Sequence, residues 1–246
     1  MPKRLYRSFQ ALILLALCLF LAGKAVNGQL TYYINLRFVP LTIFGMILLA
    51  VLAQTLFNEM RRARQNPDRH DHDDDHAPSS ANLWFMLVPL AIGILIPARP
   101  LDSSAFATKG FNTAGPLVSA ASTVQLFETE SQDRNVLDWI KVFNYEKDLT
   151  PFLGQQASVI GFVYRDEQLS EDQFYVSRFV VSCCAADGFA IAMVAEWPEA
   201  GVLEQDAWVL VKGPISSITL NGRAVPVIEA ESVQNVPIPE QPYLFP

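Results

Sequence analysis

Three dense apolar runs lie before Ala98, and no comparable run follows it. This constrains the chain more than any other feature. A helix needs roughly 20 apolar residues to cross the hydrocarbon core of a bilayer. Phe38 to Phe57 meets that length, with Pro40 in the first turn, where a missing N–H costs little. Upstream, Lys3, Arg4 and Arg7 precede an apolar run that starts at Phe9 and closes before Lys24, whose ammonium can snorkel to the interface. A basic segment before a short apolar run also describes a signal peptide, but no clean small-x-small site follows and a second apolar run comes soon after. Two spanning helices, about 9–26 and 38–57, are expected. The third run, Leu83 to Pro97, is shorter and contains Pro89. A kinked third span over 83–97 is expected, with a re-entrant or interfacial segment as the alternative.

Basic residues orient such helices. The N-terminus carries three, and the second loop carries four, namely Arg61, Arg62, Arg64 and Arg69, against Lys24 and Arg37 in the first loop. A multi-pass protein of the cell membrane is expected, with the N-terminus and second loop cytoplasmic and everything after Pro97 extracytoplasmic. The net charge of −7 divides unevenly: from Glu128 onward seven basic and eighteen acidic residues give −11, and the preceding part carries +4. An acidic domain disfavours nucleic acid, because sequence-independent binding there depends on Lys and Arg neutralising phosphates.

The second loop, 66–78, gathers all three histidines, His70, His72 and His76, among aspartates. Imidazole and carboxylate together suit Zn²⁺, Ni²⁺ or Cu²⁺, although a loop of this kind has no fixed geometry and the plainer reading is a solvated acidic linker between helices. Residues 99–130 are rich in Ser, Ala, Thr, Gly and Pro without sustained periodicity, which predicts an extended linker.

Beyond the linker, over 131–246, the pattern changes. Asn135 is placed to cap a helix from Val136, with Asp138 in its first turn, and Val136, Ile140 and Phe143 recur at helical spacing. Period-two segments follow at Ser158–Arg165, Phe174–Val181, Phe189–Val194 and Trp208–Lys212, the last closing at Gly213-Pro214. Asn221-Gly222 marks a hairpin joining Ile215–Leu220 to Arg223–Ile228. The expected fold is a membrane protein with N-terminal transmembrane α-helices and a small all-β domain, an OB-like barrel preceded by one helix.

Chemistry concentrates at Ser182-Cys183-Cys184-Ala185-Ala186-Asp187-Gly188. Of the three cysteines, Cys18 lies in the first apolar run and reads as a small hydrophobe. Adjacent cysteines exclude the CxxC spacings. Neighbouring side chains on a strand point to opposite faces, so Cys183, Cys184 and Asp187 can share a ligand or metal ion only if the backbone turns. A strained, reducible vicinal disulfide and a chemically inert pair are the competing readings. Zn²⁺ or another transition metal is the cofactor class these donors fit, and no cofactor is fixed by the sequence. Every histidine lies in the cytoplasmic loop, so the domain has no Ser-His or Cys-His arrangement. A catalytic role is not expected.

Leu101-Asp102-Ser103-Ser104, Lys109-Gly110, Gly161-Phe162-Val163-Tyr164, Arg178-Phe179, the Cys-Cys-Ala-Ala-Asp run, Val211-Lys212-Gly213 and the Pro-rich end from Pro237 to Pro242 together resemble the YcgQ-like family. That resemblance implies a bacterial membrane protein, the smaller subunit of a two-component permease beside a larger multi-span partner, with a link to metal handling. Where relatives often carry His-Pro-Arg entering the second span, this chain has Asn35-Leu36-Arg37. The function expected is an accessory, solute-binding permease subunit, metal-ion related. An envelope-interaction protein and an exported thiol oxidoreductase are the alternatives.

Overall fold

The computed structural model describes residues 3–65, 81–109, 129–146, 148–167, 169–220 and 223–246. The chain divides into two compact units, Met1–Arg99 and Pro100–Pro246. The His/Asp-rich loop, with His70, His72 and His76, lies outside the described residues, as do the Asn221-Gly222 turn and the greater part of the expected linker.

In the first unit, helix α1 (Lys3–Val26) and helix α2 (Val39–Gln65) pack against each other. Ser8 Oγ meets Met60 Sδ at 3.1 Å, and Cys18 Sγ reaches the Met46 carbonyl at 3.4 Å, so the pair is antiparallel. Segments Leu5–Val26 and Leu36–Arg62 are long and apolar enough to cross a bilayer. Many of their large apolar side chains are exposed, Leu41, Phe44, Ile47, Leu48 and Val51 among them. A contiguous apolar surface of that extent matches lipid rather than water. Helix α3 (Ala81–Leu95) has 15 residues with Pro89 inside. At a rise of about 1.5 Å per residue it covers roughly 22 Å, less than a hydrocarbon core of about 30 Å, and it begins and ends two residues before the 83–97 segment expected from sequence. It packs closely on α1: a Cβ at Gly93 would lie 2.6 Å from the Phe20 ring.

The second unit begins ahead of the expected boundary. A short helix, α4 (Phe106–Lys109), follows a 3₁₀ turn at Ser103–Ala105. Leu101 N–H donates to the Tyr243 hydroxyl at 2.9 Å, and Ser103 donates to Asp206 through both its N–H and its hydroxyl. Residues 101–109 are therefore part of the folded unit rather than linker. Phe106 accounts for this, because its buried ring sits among Phe162, Phe179 and Tyr164 at centroid distances of 5.7, 5.6 and 4.5 Å.

Helix α5 (Val136–Tyr145) carries the capping box its sequence announces. Asn135 Oδ1 accepts from the N–H groups of Leu137 and Asp138, and Asp138 accepts from Asn135 N–H. The helix buries Val136, Leu137, Trp139, Ile140 and Val142 against the sheet, and Trp139 stacks on Phe143.

Strands β1 (Gln156–Tyr164), β2 (Gln173–Val180), β3 (Phe189–Glu196), β4 (Trp208–Leu220) and β5 (Arg223–Glu229) close a ring in the order β1-β2-β3-β5-β4, returning to β1. β3 and β5 are parallel and the other ring pairs antiparallel, which is an OB-like barrel. One core fills it, with Val159, Val163, Phe174, Val176, Ile191, Val211 and Ile228 buried. A second cluster, Phe106, Phe162, Phe179, Val181, Ala190, Trp208 and Tyr243, lies on the alternate side chains.

Gly213-Pro214 predicts the end of the fourth strand, but β4 continues through both residues. Gly213 permits it: a Cβ there would lie 2.0 Å from the Glu229 carbonyl oxygen, an approach no other residue allows. At this point β4 exchanges one neighbour for another. Lys212 pairs with Ser232 of β6 (Ser232–Asn235), and Ile215 pairs with Ile228 of β5. The last strand, β7 (Tyr243–Leu244), lies parallel to β2, with Phe179 opposite Tyr243.

A candidate dithiol metal site

The thiol pair occupies the β2–β3 connection. β2 ends at Val180, and Val181 is fully buried with its N–H on the Leu244 carbonyl, so the chain is anchored just before the loop. Cys184 is extended (φ −155°, ψ 166°), and Ala185–Asp187 form one 3₁₀ turn that returns the chain to Gly188 and β3. That turn reverses the alternation of a strand. The two sulfurs lie 3.6 Å apart instead of on opposite faces.

Asp187 fixes the loop. Its Oδ1 accepts from Ser182 N–H at 2.9 Å, and its Oδ2 accepts from Cys183 N–H at 2.7 Å and Cys184 N–H at 3.3 Å. Charge-assisted bonds from backbone donors are stronger than neutral ones, so one exposed side chain organises three successive peptide groups. From below, Ala185 packs on the Phe106 cluster. Lys109 Nζ donates to the Ala186 carbonyl at 2.8 Å, and Leu101 lies so close to Gly188 that a Cβ there would be 3.2 Å from Leu101 Cδ1. Leu101 and Lys109 were legible only as parts of the family-like runs Leu101-Asp102-Ser103-Ser104 and Lys109-Gly110. Neither residue type signals a support for a distant loop.

Cys183 and Asp187 are exposed and Cys184 is half-buried, and one donor atom from each lies within 4.8 Å of the others. Their titration is interdependent. The Cys183 thiol is pushed up to about 12, first by donating to the Asp187 carboxylate and then by its bond to Cys184, with the nearby charges adding to the effect. The Cys184 thiol is lowered, first by the Ala186 N–H and then by the Cys183 thiol. For Asp187, partial burial works upward, but the Cys183 thiol and the N–H groups of Cys183, Ser182 and Cys184 outweigh it and hold the carboxyl below its ordinary value. The loop thus places two sulfurs, one titrating above and one below its ordinary value, beside a carboxylate. This is a donor set for a soft or borderline cation.

A separate cavity of about 360 Å³ is lined by Asp172, Glu196, Pro198, Pro214, Glu229, Ala230 and Glu231, and excludes the thiol loop. Elsewhere in the barrel, Arg178 is buried with its pKa lowered to about 10 by desolvation. Its guanidinium donates to the Ile160 and Gln241 carbonyls and lies 5.1 Å from the Trp208 ring centroid, which ties β1, β2 and the C-terminal segment together.

Two relatives align with this chain over most of their length. The chain is 25% identical over 284 aligned positions to the UPF0703 protein YcgQ of Bacillus subtilis, covering 96% of this chain and 99% of that protein. It is 23% identical over 259 positions to a Streptococcus mutans protein whose name assigns it to a two-component membrane permease complex, covering 89% and 92%. A small single-stranded DNA-binding protein from Streptomyces coelicolor aligns with 34% of the chain at 15% identity and a TM-score of 0.23. The model of the DUF1980 N-terminal domain matches residues 9–112 and that of the DUF1980 C-terminal domain matches residues 119–246. With two apolar helices ahead of an OB-like barrel and both domain models matched in order, the chain belongs to the DUF1980 family.

Proposed function

We propose that this protein is the accessory, ion-capturing subunit of a membrane permease complex. Its helices dock to a larger multi-span partner, and its barrel presents the Cys183–Cys184–Asp187 loop outside the cytoplasm. The observation that carries the reading is the convergence of two sulfurs and a carboxylate within 4.8 Å on a loop held from both sides. The similarity to a permease-complex subunit supports the partner, and the excess of basic residues on the N-terminus and second loop supports the orientation. The domain's role is binding rather than catalysis. Its cation is cargo, delivered to the partner.

The test is purification of the tagged full chain from its native membrane, with elemental analysis of the product and an alkaline phosphatase fusion after Pro246. The reading predicts a co-purified multi-span protein, phosphatase activity, and a thiophilic metal that is absent from the Cys183→Ser/Cys184→Ser chain. Absence of a multi-span partner contradicts the permease role, an inactive fusion contradicts the orientation, and metal retained without the thiols contradicts capture.

A further inference from the structure

We infer that the loop is a two-sulfur chelate for a four-coordinate divalent d¹⁰ cation, with Asp187 positioning the sulfurs rather than ligating the ion. The inference rests on the capture reading above and specifies its donor set and ion class. With metal–sulfur bonds of about 2.3 Å, sulfurs 3.6 Å apart subtend roughly 103° at the ion, near the tetrahedral value of about 109°. A linear two-coordinate ion at the same bond length needs sulfurs roughly 4.6 Å apart. The anchored ends at Val181 and Gly188 oppose that widening, since Val181 is fully buried and Gly188 packs against Leu101. The spacing therefore selects against two-coordinate monovalent ions. Exposure of Cys183 leaves the remaining coordination positions open to water or to an incoming acceptor group. That is the arrangement of a hand-off site rather than of a closed structural one.

Asp187 is already committed. A carboxylate offers about four acceptor directions, and the N–H groups of Ser182, Cys183 and Cys184 take three of them. If Asp187 turned to a metal, it would release the bonds that bring the sulfurs together. Its role is to hold both thiols on one side of the loop and to receive the Cys183 proton's hydrogen bond until the ion arrives. Capture then balances simply: M²⁺ and the two thiols form two metal–sulfur bonds, break two S–H bonds, and give both protons to solvent together with displaced water ligands. No electron is transferred.

The experiment uses the full chain in detergent with His70, His72, His76 and Cys18 replaced by Ala, titrated with Co²⁺ as a spectroscopic probe. The wild-type loop should give thiolate-to-cobalt charge transfer of two-thiolate intensity and the strong visible band of four-coordinate Co²⁺, with two thiols shielded from alkylation. Asp187→Asn should weaken binding by roughly 10- to 100-fold, as loss of a supporting group does, and leave the band position and intensity per bound ion unchanged. A shifted visible band in Asp187→Asn, a weak six-coordinate band, or a single shielded thiol in the unsubstituted loop overturns the inference. The thiol count is read on the unsubstituted loop, so that arm does not depend on the variant folding. A chain that binds no Co²⁺ at all overturns the capture reading itself.

Discussion

The Asp187 carboxylate accepts the backbone N–H of Cys183 at 2.7 Å, and through it the loop chemistry and the loop fold become one problem. The same side chain sets where both sulfurs sit, which of them holds its proton, and how the chain re-enters the barrel at β3.

The two thiols should react in an order opposite to their exposure. Cys183 is the more exposed but its pKa is pushed up to about 12, whereas that of Cys184 is lowered. Since the thiolate is the nucleophile, limiting iodoacetamide at pH 7.5 should modify Cys184 first, as read by peptide mass mapping. Asp187→Asn removes the leading cause of the upward shift at Cys183 and should accelerate its alkylation several-fold. Preferential labelling of Cys183 in the unsubstituted chain would mean that exposure, not the carboxylate, governs reactivity.

Loop order should depend on pH in one direction. The folded-state pKa of Asp187 is lowered, so its contribution is present above the ordinary carboxylate value of about 4 and is lost as pH falls through the folded value. The amide resonances of Ser182, Cys183 and Cys184 should move together in acid, with a midpoint below that value. In Asp187→Asn the transition should vanish. Independent titration of the three amides contradicts a shared acceptor.

Phe106 lies outside the segment that composition assigns to the domain, yet its ring is buried in the second cluster. Phe106→Ala should cost about 3–5 kcal/mol of unfolding free energy, the usual range for a buried aromatic ring. Chemical denaturation of the second unit reads it, and a variant as stable as the original means that residues 101–109 merely lie on the surface.

At Gly213 an added methyl group would meet the Glu229 carbonyl at 2.0 Å, where backbone rather than a movable side chain must yield. Gly213→Ala should destabilise the barrel by about 3 kcal/mol and lower its melting temperature. Gly201, with open space around it, should tolerate Ala. Equal effects at both glycines would contradict strand closure at that point.

The legible parts of the chain were those governed by local rules. Asn135 and Asp138 announced a capped helix, period-two segments announced the ring strands, and long apolar runs announced α1 and α2. What escaped was held by contacts distant in sequence. β6 and β7 are short and lie in or beside the proline-rich C-terminal segment, and they exist because β4 and β2 offer free edges to them. Gly213-Pro214 reads locally as a stop, yet β4 passes through it because the Glu229 backbone needs the space. Leu101–Lys109 has a linker's composition, and a single aromatic ring makes it part of the core. At the thiol loop the residue types and the turn they require were visible, but the bonds that bring the sulfurs together were not. A period of two predicts diverging sulfurs, and only the Asp187 bonds and the 3₁₀ turn bring them to one side.

The most direct measurement is equilibrium dialysis of Cd²⁺ against the full chain carrying His70→Ala, His72→Ala and His76→Ala, under reducing conditions. The account predicts one tightly held ion per chain, abolished by Cys183→Ser/Cys184→Ser. Undiminished binding after removal of both sulfurs, or no binding while they are present and reduced, would contradict it.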